Sequence, residues 1–226
     1  MNADMMMENI RIIKERIAAA AKRAGRQSSD ITLVAVSKTM PVESIKMAIH
    51  AGIVDFGENY YQETREKMPL LGKEIRWHFI GHLQTNKAKY IAGHFTLVHS
   101  VDSDDLAYAL GKRAVQAGLI QPVLLEVKID SAETKFGASP DETIDLAGRI
   151  ASTPGLELKG LMGMAPYGDD PEQTRPHFAH LRKLFLKLPI EHRQILSMGM
   201  SGDFETAIEE GATLVRVGTA IFGHRS

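Results

Sequence analysis

The chain has 226 residues, 44% of them hydrophobic, enough for one large domain or two small ones around a sizeable core. Its 27 basic and 28 acidic residues leave a formal net charge of -1, and no basic run or aromatic-basic interleaving points to nucleic acid as a partner. The lack of cysteine excludes structural disulfides, thiolate zinc sites and a cysteine nucleophile.

Asp4 and Glu8 deny the amino terminus the basic and apolar regions of a signal peptide, and no later segment is long and apolar enough to span a bilayer. A soluble cytoplasmic protein with no membrane partner is expected. Met6, Ile10, Ile13, Ile17 and Ala20 or Ala21 recur at helical spacing, which predicts an amphipathic helix from Met5 to Ala24, ended by Gly25. A β-rich run from Ile31 to Ser37 follows and stops at Lys38. From there short β-rich runs alternate with helical ones, the pattern of βα units on a parallel sheet.

The further strands expected are Ile53 to Phe56, Ile75 to Ile80, Phe95 to Ser100, Pro122 to Ile129, Leu156 to Met162, Gln194 to Ser197 and Thr213 to Val217. Helices are expected at Val42 to Ala51, Ser103 to Ala117, Asp141 to Ala151 and Gln173 to Leu188, with first turns of another at Asp203 to Ile208. About eight strands close a TIM barrel, so the fold expected is α/β, a single (β/α)8 barrel over residues 1–226 with an extra amino-terminal helix. That helix can cover the gap left by the short tail after Val217. A doubly wound open sheet is the alternative.

The residues that break the apolar pattern collect at strand carboxyl ends, which form the active face of such a barrel. Lys38 ends a buried strand, where desolvation favours the neutral amine that attacks an aldehyde; an ordinary strand-end lysine is simply solvated. The small, glycine-containing run Ser197 to Gly202 leads into a helix, and Gly218-Thr219-Ala220 follows the last strand. Loops after strands seven and eight are the usual phosphate site of this fold, although Ser201 or Asp203 could equally serve as helix caps. Arg216 lies inside the apolar Leu214 to Val217 and needs a partner, either a ring nitrogen in the barrel mouth or a carboxylate such as Glu126. His78 and His82, on one strand, lie roughly 13 Å apart and cannot share a metal ion. His82 is expected to make a hydrogen bond at the strand end, and Lys87 and Lys89 to lie on a solvated helix face.

Several ordered stretches resemble the pyridoxal phosphate homeostasis proteins over essentially the whole chain. They are Ala35-Val36-Ser37-Lys38-Thr39, Phe56-Gly57-Glu58-Asn59-Tyr60, His78-Phe79-Ile80-Gly81-His82-Leu83-Gln84-Thr85-Asn86-Lys87, Glu133-Thr134-Lys135-Phe136-Gly137, Leu196 to Asp203 and Val215 to Gly223. The resemblance implies a fold-type III barrel, related to the amino-terminal domain of alanine racemase, with pyridoxal 5'-phosphate (PLP) in its mouth. It further implies that Lys38 carries the cofactor as a Schiff base and that Arg216 faces the pyridine nitrogen. By the same match Ser201, Gly202, Gly218 and Thr219 hold the phosphate, and Asn59, Ser197 and Met162 line the ring. Lys135 matches a second family lysine that influences cofactor handling. Lys128 departs from the family, whose members commonly have asparagine there, and this bears on the contacts near the ring hydroxyl.

A cationic arginine opposite the ring nitrogen disfavours ring protonation and weakens the cofactor as an electron sink. The resembling racemases add a second domain and a tyrosine base. With the chain read as closing at Ser226, and with no evident role for Tyr60, Tyr61, Tyr90, Tyr108 or Tyr167, neither is expected here. The function expected is a non-catalytic or weakly catalytic monomer that holds, buffers or transfers PLP, with PLP-dependent apoenzymes as recipients. A PLP-dependent amino-acid racemase is the alternative, and a Schiff-base phosphate-sugar barrel without cofactor a third.

Overall fold

A computed structural model describes residues 2–129, 136–166, 168 and 170–223. The amino-terminal helix α1 (Ala3–Arg23) is capped by Asn2, whose side chain accepts from the Met5 N–H, and it buries Met6, Ile10, Ile13, Ile17, Ala20 and Ala21 on one face. Gly25, at φ 68°, turns the chain out of it.

There follow β1 (Thr32–Val36), α2 (Val42–His50), β2 (Asp55–Glu58), α3 (Tyr61–Lys67), β3 (Arg76–Phe79), β4 (Leu97–Val101) and α4 (Asp104–Gln116). The second half comprises β5 (Gln121–Val127), α5 (Thr143–Ala151), β6 (Leu156–Gly163), α6 (Arg175–Phe185), β7 (Ile195–Ser197), α7 (Phe204–Glu209), β8 (Leu214–Val217) and α8 (Thr219–Phe222). The eight strands are parallel and form a closed barrel in sequence order, sealed where Thr32 to Ala35 of β1 register with Leu214 to Val217 of β8. Closure excludes the doubly wound sheet. The short α8 leaves the seam between β8 and β1 to α1, which packs against α2, α7 and α8.

Two elements differ from expectation for identifiable reasons. β2 runs two residues further than Phe56, because Gly57 and Glu58 pair with His78 and Phe79 of β3 although neither has an apolar side chain. Residues Thr85–Tyr90 form a 3-10 helix with Lys87 and Lys89 exposed, the solvated helix face expected of them. α3, whose sequence Tyr61-Gln62-Glu63-Thr64-Arg65-Glu66-Lys67 lacks an apolar stripe, was not foreseen from periodicity. Tyr61 packs it against the core at one end, and at the other Lys67 is buried between Glu58 and Glu63.

The outer strand faces pack Ala35, Phe56, Trp77, Leu125, Leu161 and Val215 into the main core beneath the helices. Inside the barrel Val34, Leu97, Leu124, Met162 and Leu214 form a separate apolar plug. Glu126 and Arg216 share the inward faces of β5 and β8 with Leu124 and Leu214 of this plug and are buried beside it.

Candidate functional site

Strand alternation decides which residues reach the mouth. Val34 lies in the inner plug, so Val36 and then Lys38 continue the inward-facing set of β1. Lys38 is half-buried in the turn that the Met40 N–H closes on the Ser37 carbonyl at 3.0 Å. Gly57 also faces inward, since a Cβ on it would meet Val34 Cγ1 at 3.1 Å; Glu58 therefore faces outward and Asn59 returns to the mouth. A Cβ on Gly81 would lie 2.4 Å from the Asn59 carbonyl oxygen, so only glycine lets the ends of β2 and β3 close together there. The Asn59 side-chain oxygen is buried without a hydrogen-bond partner.

Across the barrel, Arg216 is 4% exposed. Its guanidinium donates to Ser197 Oγ and, at 3.2 Å, to the Gly163 carbonyl. Neither is a carboxylate, and Glu126 acts on it only as a nearby charge. Burial pulls Arg216 down to about 10, with Glu126 and Asp203 opposing. Burial in turn pushes Glu126 up to about 7, helped by Asp102 and resisted by Arg216. Near neutral pH a substantial share of Glu126 is thus uncharged, and the arginine's positive field at the mouth is incompletely cancelled.

Ser197 links Arg216 to a polar chain across the barrel interior. Its hydroxyl meets His99 Nδ1 at 3.0 Å, His99 Nε2 meets His78 Nδ1 at 3.0 Å, and His78 Nε2 meets Asp55 Oδ1 at 2.9 Å. Arg76 closes the far end with two bonds to Asp55, at 2.7 and 2.6 Å. With one proton on each ring every link is satisfied in a single direction: Arg216 to Ser197 to His99 to His78 to Asp55. Burial above all, with the cationic Arg216 nearby, holds His99 well below its usual value, which agrees with a neutral ring. Burial pushes Asp55 up, but the hydrogen bonds from Arg76 and His78 outweigh it and hold the carboxylate below its usual range.

The loops after β7 and β8 meet through Ser201, whose Oγ accepts from the Gly218 N–H at 3.2 Å and the Ala220 N–H at 3.5 Å. Ser201 therefore ties two loops together and does not cap α7. Asp203 opens α7 but spends its side chain on the Met200 N–H at 2.6 Å. A Cβ on Gly202 would meet nothing within 4 Å, so this loop borders open space. A separate cleft of about 410 Å³ lies at the ends of β2 and β3, with walls that include Asn59, Tyr61, His82, Gln84 and Lys87.

Of the residues singled out from sequence, Lys38, Asn59, Ser201, Gly202, Gly218 and Thr219 lie on the mouth face, and Ser197, Met162 and Arg216 lie beneath it. Met162 belongs to the inner plug at 1% exposure. Lys128 follows Glu126 on the inward alternation, its N–H bonded to the Ala138 carbonyl at 2.9 Å. Lys135 lies outside the described residues, as does Tyr167. His82 stacks on Phe136 with ring centroids 3.5 Å apart, in place of the hydrogen bond expected of it. Asp55 and His99 were missed. Each is a polar residue at an inward position of an apolar strand, the signal that drew attention to Arg216.

Residues 4–226 match the family described as alanine racemase, N-terminal domain. A pyridoxal phosphate homeostasis protein of Aquifex aeolicus is 43% identical over 222 residues, covering 96% of this chain and 97% of its own. Among solved structures, PipY of Synechococcus elongatus with PLP bound is 35% identical with a TM-score of 0.80, covering 93% of this chain and all of its own. An alanine racemase of Bartonella henselae with covalently bound pyridoxal phosphate has a TM-score of 0.77 at 14% identity and shares the fold alone. The chain spans 60% of that racemase's length.

Proposed function

The chain belongs to the alanine racemase N-terminal domain family and groups there with the pyridoxal phosphate homeostasis proteins, and from that premise we propose that it binds PLP at the barrel mouth and keeps it in reversible reserve through Lys38. When bound, PLP would supply an electrophilic aldehyde carbon, and Lys38 would supply the amine that holds it reversibly. The residues fit the group. The buried, unpartnered Asn59 oxygen lies on the mouth face, and Gly202 borders open space beside the joined Ser201 and Gly218 backbone.

The observation that carries the reading is Arg216, a buried cation bonded to two neutral acceptors and no carboxylate. Facing a pyridine nitrogen, it opposes ring protonation and makes the site suited to holding and exchanging an aldehyde more than to stabilising a carbanion. Ser201, Gly202 and Thr219 would offer backbone and hydroxyl donors to the phosphate, Gly218, whose N–H is held by Ser201 Oγ, would let the chain approach it closely, and Met162 and Ser197 would line the ring. The chain serves as a monomeric reserve of cofactor in the cytoplasm, drawn on by PLP-dependent apoenzymes. Among the described residues no helix is long and apolar enough to cross a membrane.

The test is the visible absorption of purified protein before and after borohydride, with Lys38→Ala beside wild type. The wild-type band shifts on reduction and Lys38→Ala lacks it; an unchanged band in that variant removes Lys38 from the role. Rapid stereospecific loss of an amino acid's α-hydrogen in deuterated water would replace holding with racemase-type catalysis.

A further inference from the structure

The turn bearing Lys38 is gripped from the outer side of the barrel wall by a buried ion cluster that takes no part in the chemistry proposed above. Lys67, the last residue of α3, is 5% exposed. Its Nζ donates to the Ser37 carbonyl at 2.9 Å, to Glu58 Oε1 at 2.8 Å and to Glu63 Oε1 at 2.6 Å, which uses all three donors of an ammonium group. Glu58 Oε1 also accepts from Ser37 Oγ at 2.6 Å, and Glu63 Oε1 from the Thr39 N–H at 2.6 Å.

These contacts have a common target. The Ser37 carbonyl belongs to the peptide before the Lys38 Cα and the Thr39 N–H to the peptide after it. One ammonium group and its carboxylate partner thus hold both peptide planes that flank Lys38, and two fixed planes fix the direction of its Cα–Cβ bond. Thr39 stands at φ 66°, a left-handed conformation that a β-branched residue keeps only when its surroundings impose it. Joining α3 to the strands does not need such a cluster, because apolar side chains of the same volume serve as well without the cost of burying charge.

We infer that Lys67 is a positioning residue for Lys38, acting through the Ser37 carbonyl and, by way of Glu63, the Thr39 N–H to aim the amine at the aldehyde it captures. The inference rests on the reading of Lys38 as the cofactor-bearing lysine. Lys67→Met alone strands a buried carboxylate and can fail to fold, so the decisive variant is Lys67→Met with Glu58→Gln in the full chain, stripped of cofactor.

Two quantities are measured. One is the rate at which added PLP becomes fixed to the protein by borohydride; the other is the Kd of pyridoxamine 5'-phosphate, which carries an amine in place of the aldehyde and cannot bond to Lys38. The double variant should slow fixation about tenfold or more while shifting the pyridoxamine 5'-phosphate Kd by less than about twofold, as expected when a reacting group is misaimed but its partner still binds. A parallel loss in both quantities reduces Lys67 to a structural residue, and an unchanged rate overturns its role. A wild type that fixes no PLP at Lys38 would instead defeat the functional reading itself, and this inference with it.

Discussion

Two buried polar clusters occupy opposite faces of one barrel wall, and they solve different problems. The inner one runs from Arg216 through Ser197, His99 and His78 to Asp55, with charge at its ends and neutral groups between. The outer one concentrates Lys67, Glu58 and Glu63 at a single point. The inner chain ends on a side chain, Arg216, whereas the outer cluster grips backbone on both sides of Lys38. Orienting a planar cation takes directional links; aiming a flexible lysine takes control of the main chain beneath it.

Breaking the outer cluster should have the largest effect on the fold. Lys67→Met leaves Glu58 buried and uncompensated, a change expected to cost about 3–5 kcal/mol in denaturant unfolding, with much of it recovered when Glu58→Gln is added. Equal instability of the single and double variants would show that the ion pair is not what α3 depends on.

The inner face is next, through Glu126. Its carboxyl is held at about 7 against an ordinary 4.5, so between those values the folded chain keeps a proton that the unfolded chain has released. Its stabilising contribution is complete below about 4.5 and is lost as the pH rises through 7. Glu126→Gln should therefore gain on wild type across that window, by an amount on the order of 3 kcal/mol, in unfolding curves from pH 4.5 to 7.5. A constant difference between the two proteins would place the carboxyl in a more polar setting.

Asp55→Asn tests the directional chain with a smaller change. Replacing the terminal carboxylate weakens the bonds from His78 and Arg76, at an expected cost of about 1.5–3 kcal/mol, and should alter the absorption of bound PLP if the chain's polarity reaches Arg216. Thr39→Gly should be the mildest for stability, within about 1 kcal/mol, because relief of the left-handed strain is offset by the freedom glycine gains when unfolded. Its effect should fall on cofactor fixation, which slows as the turn loosens.

The difference between the clusters also explains what could be read in advance. Lys38 stands out because it ends a short apolar strand, Arg216 because it interrupts one, and the β7 and β8 loops because of their glycines. The strand count and the alternation of elements led to the barrel, since strands of a parallel sheet with both faces covered are nearly continuous apolar runs. Sequence alone ends β2 at Phe56, because a glycine and a glutamate resemble a loop until β3 supplies their pairing. α3 lay hidden because its buried face is Thr64 and Lys67 and not an apolar stripe.

By itself, the sequence determined the order and kind of most elements, the barrel they build, and the strand ends where unusual residues gather, because these follow from local periodicity and from burial along a single strand. Only the tertiary structure decided that Glu58 and Glu63 close on Lys67, that Asp55, His78 and His99 join into one chain, and that Arg216 rests on neutral acceptors. Partners for buried charge come from strands and helices far apart in the chain, and barrel closure is what brings them within hydrogen-bonding distance.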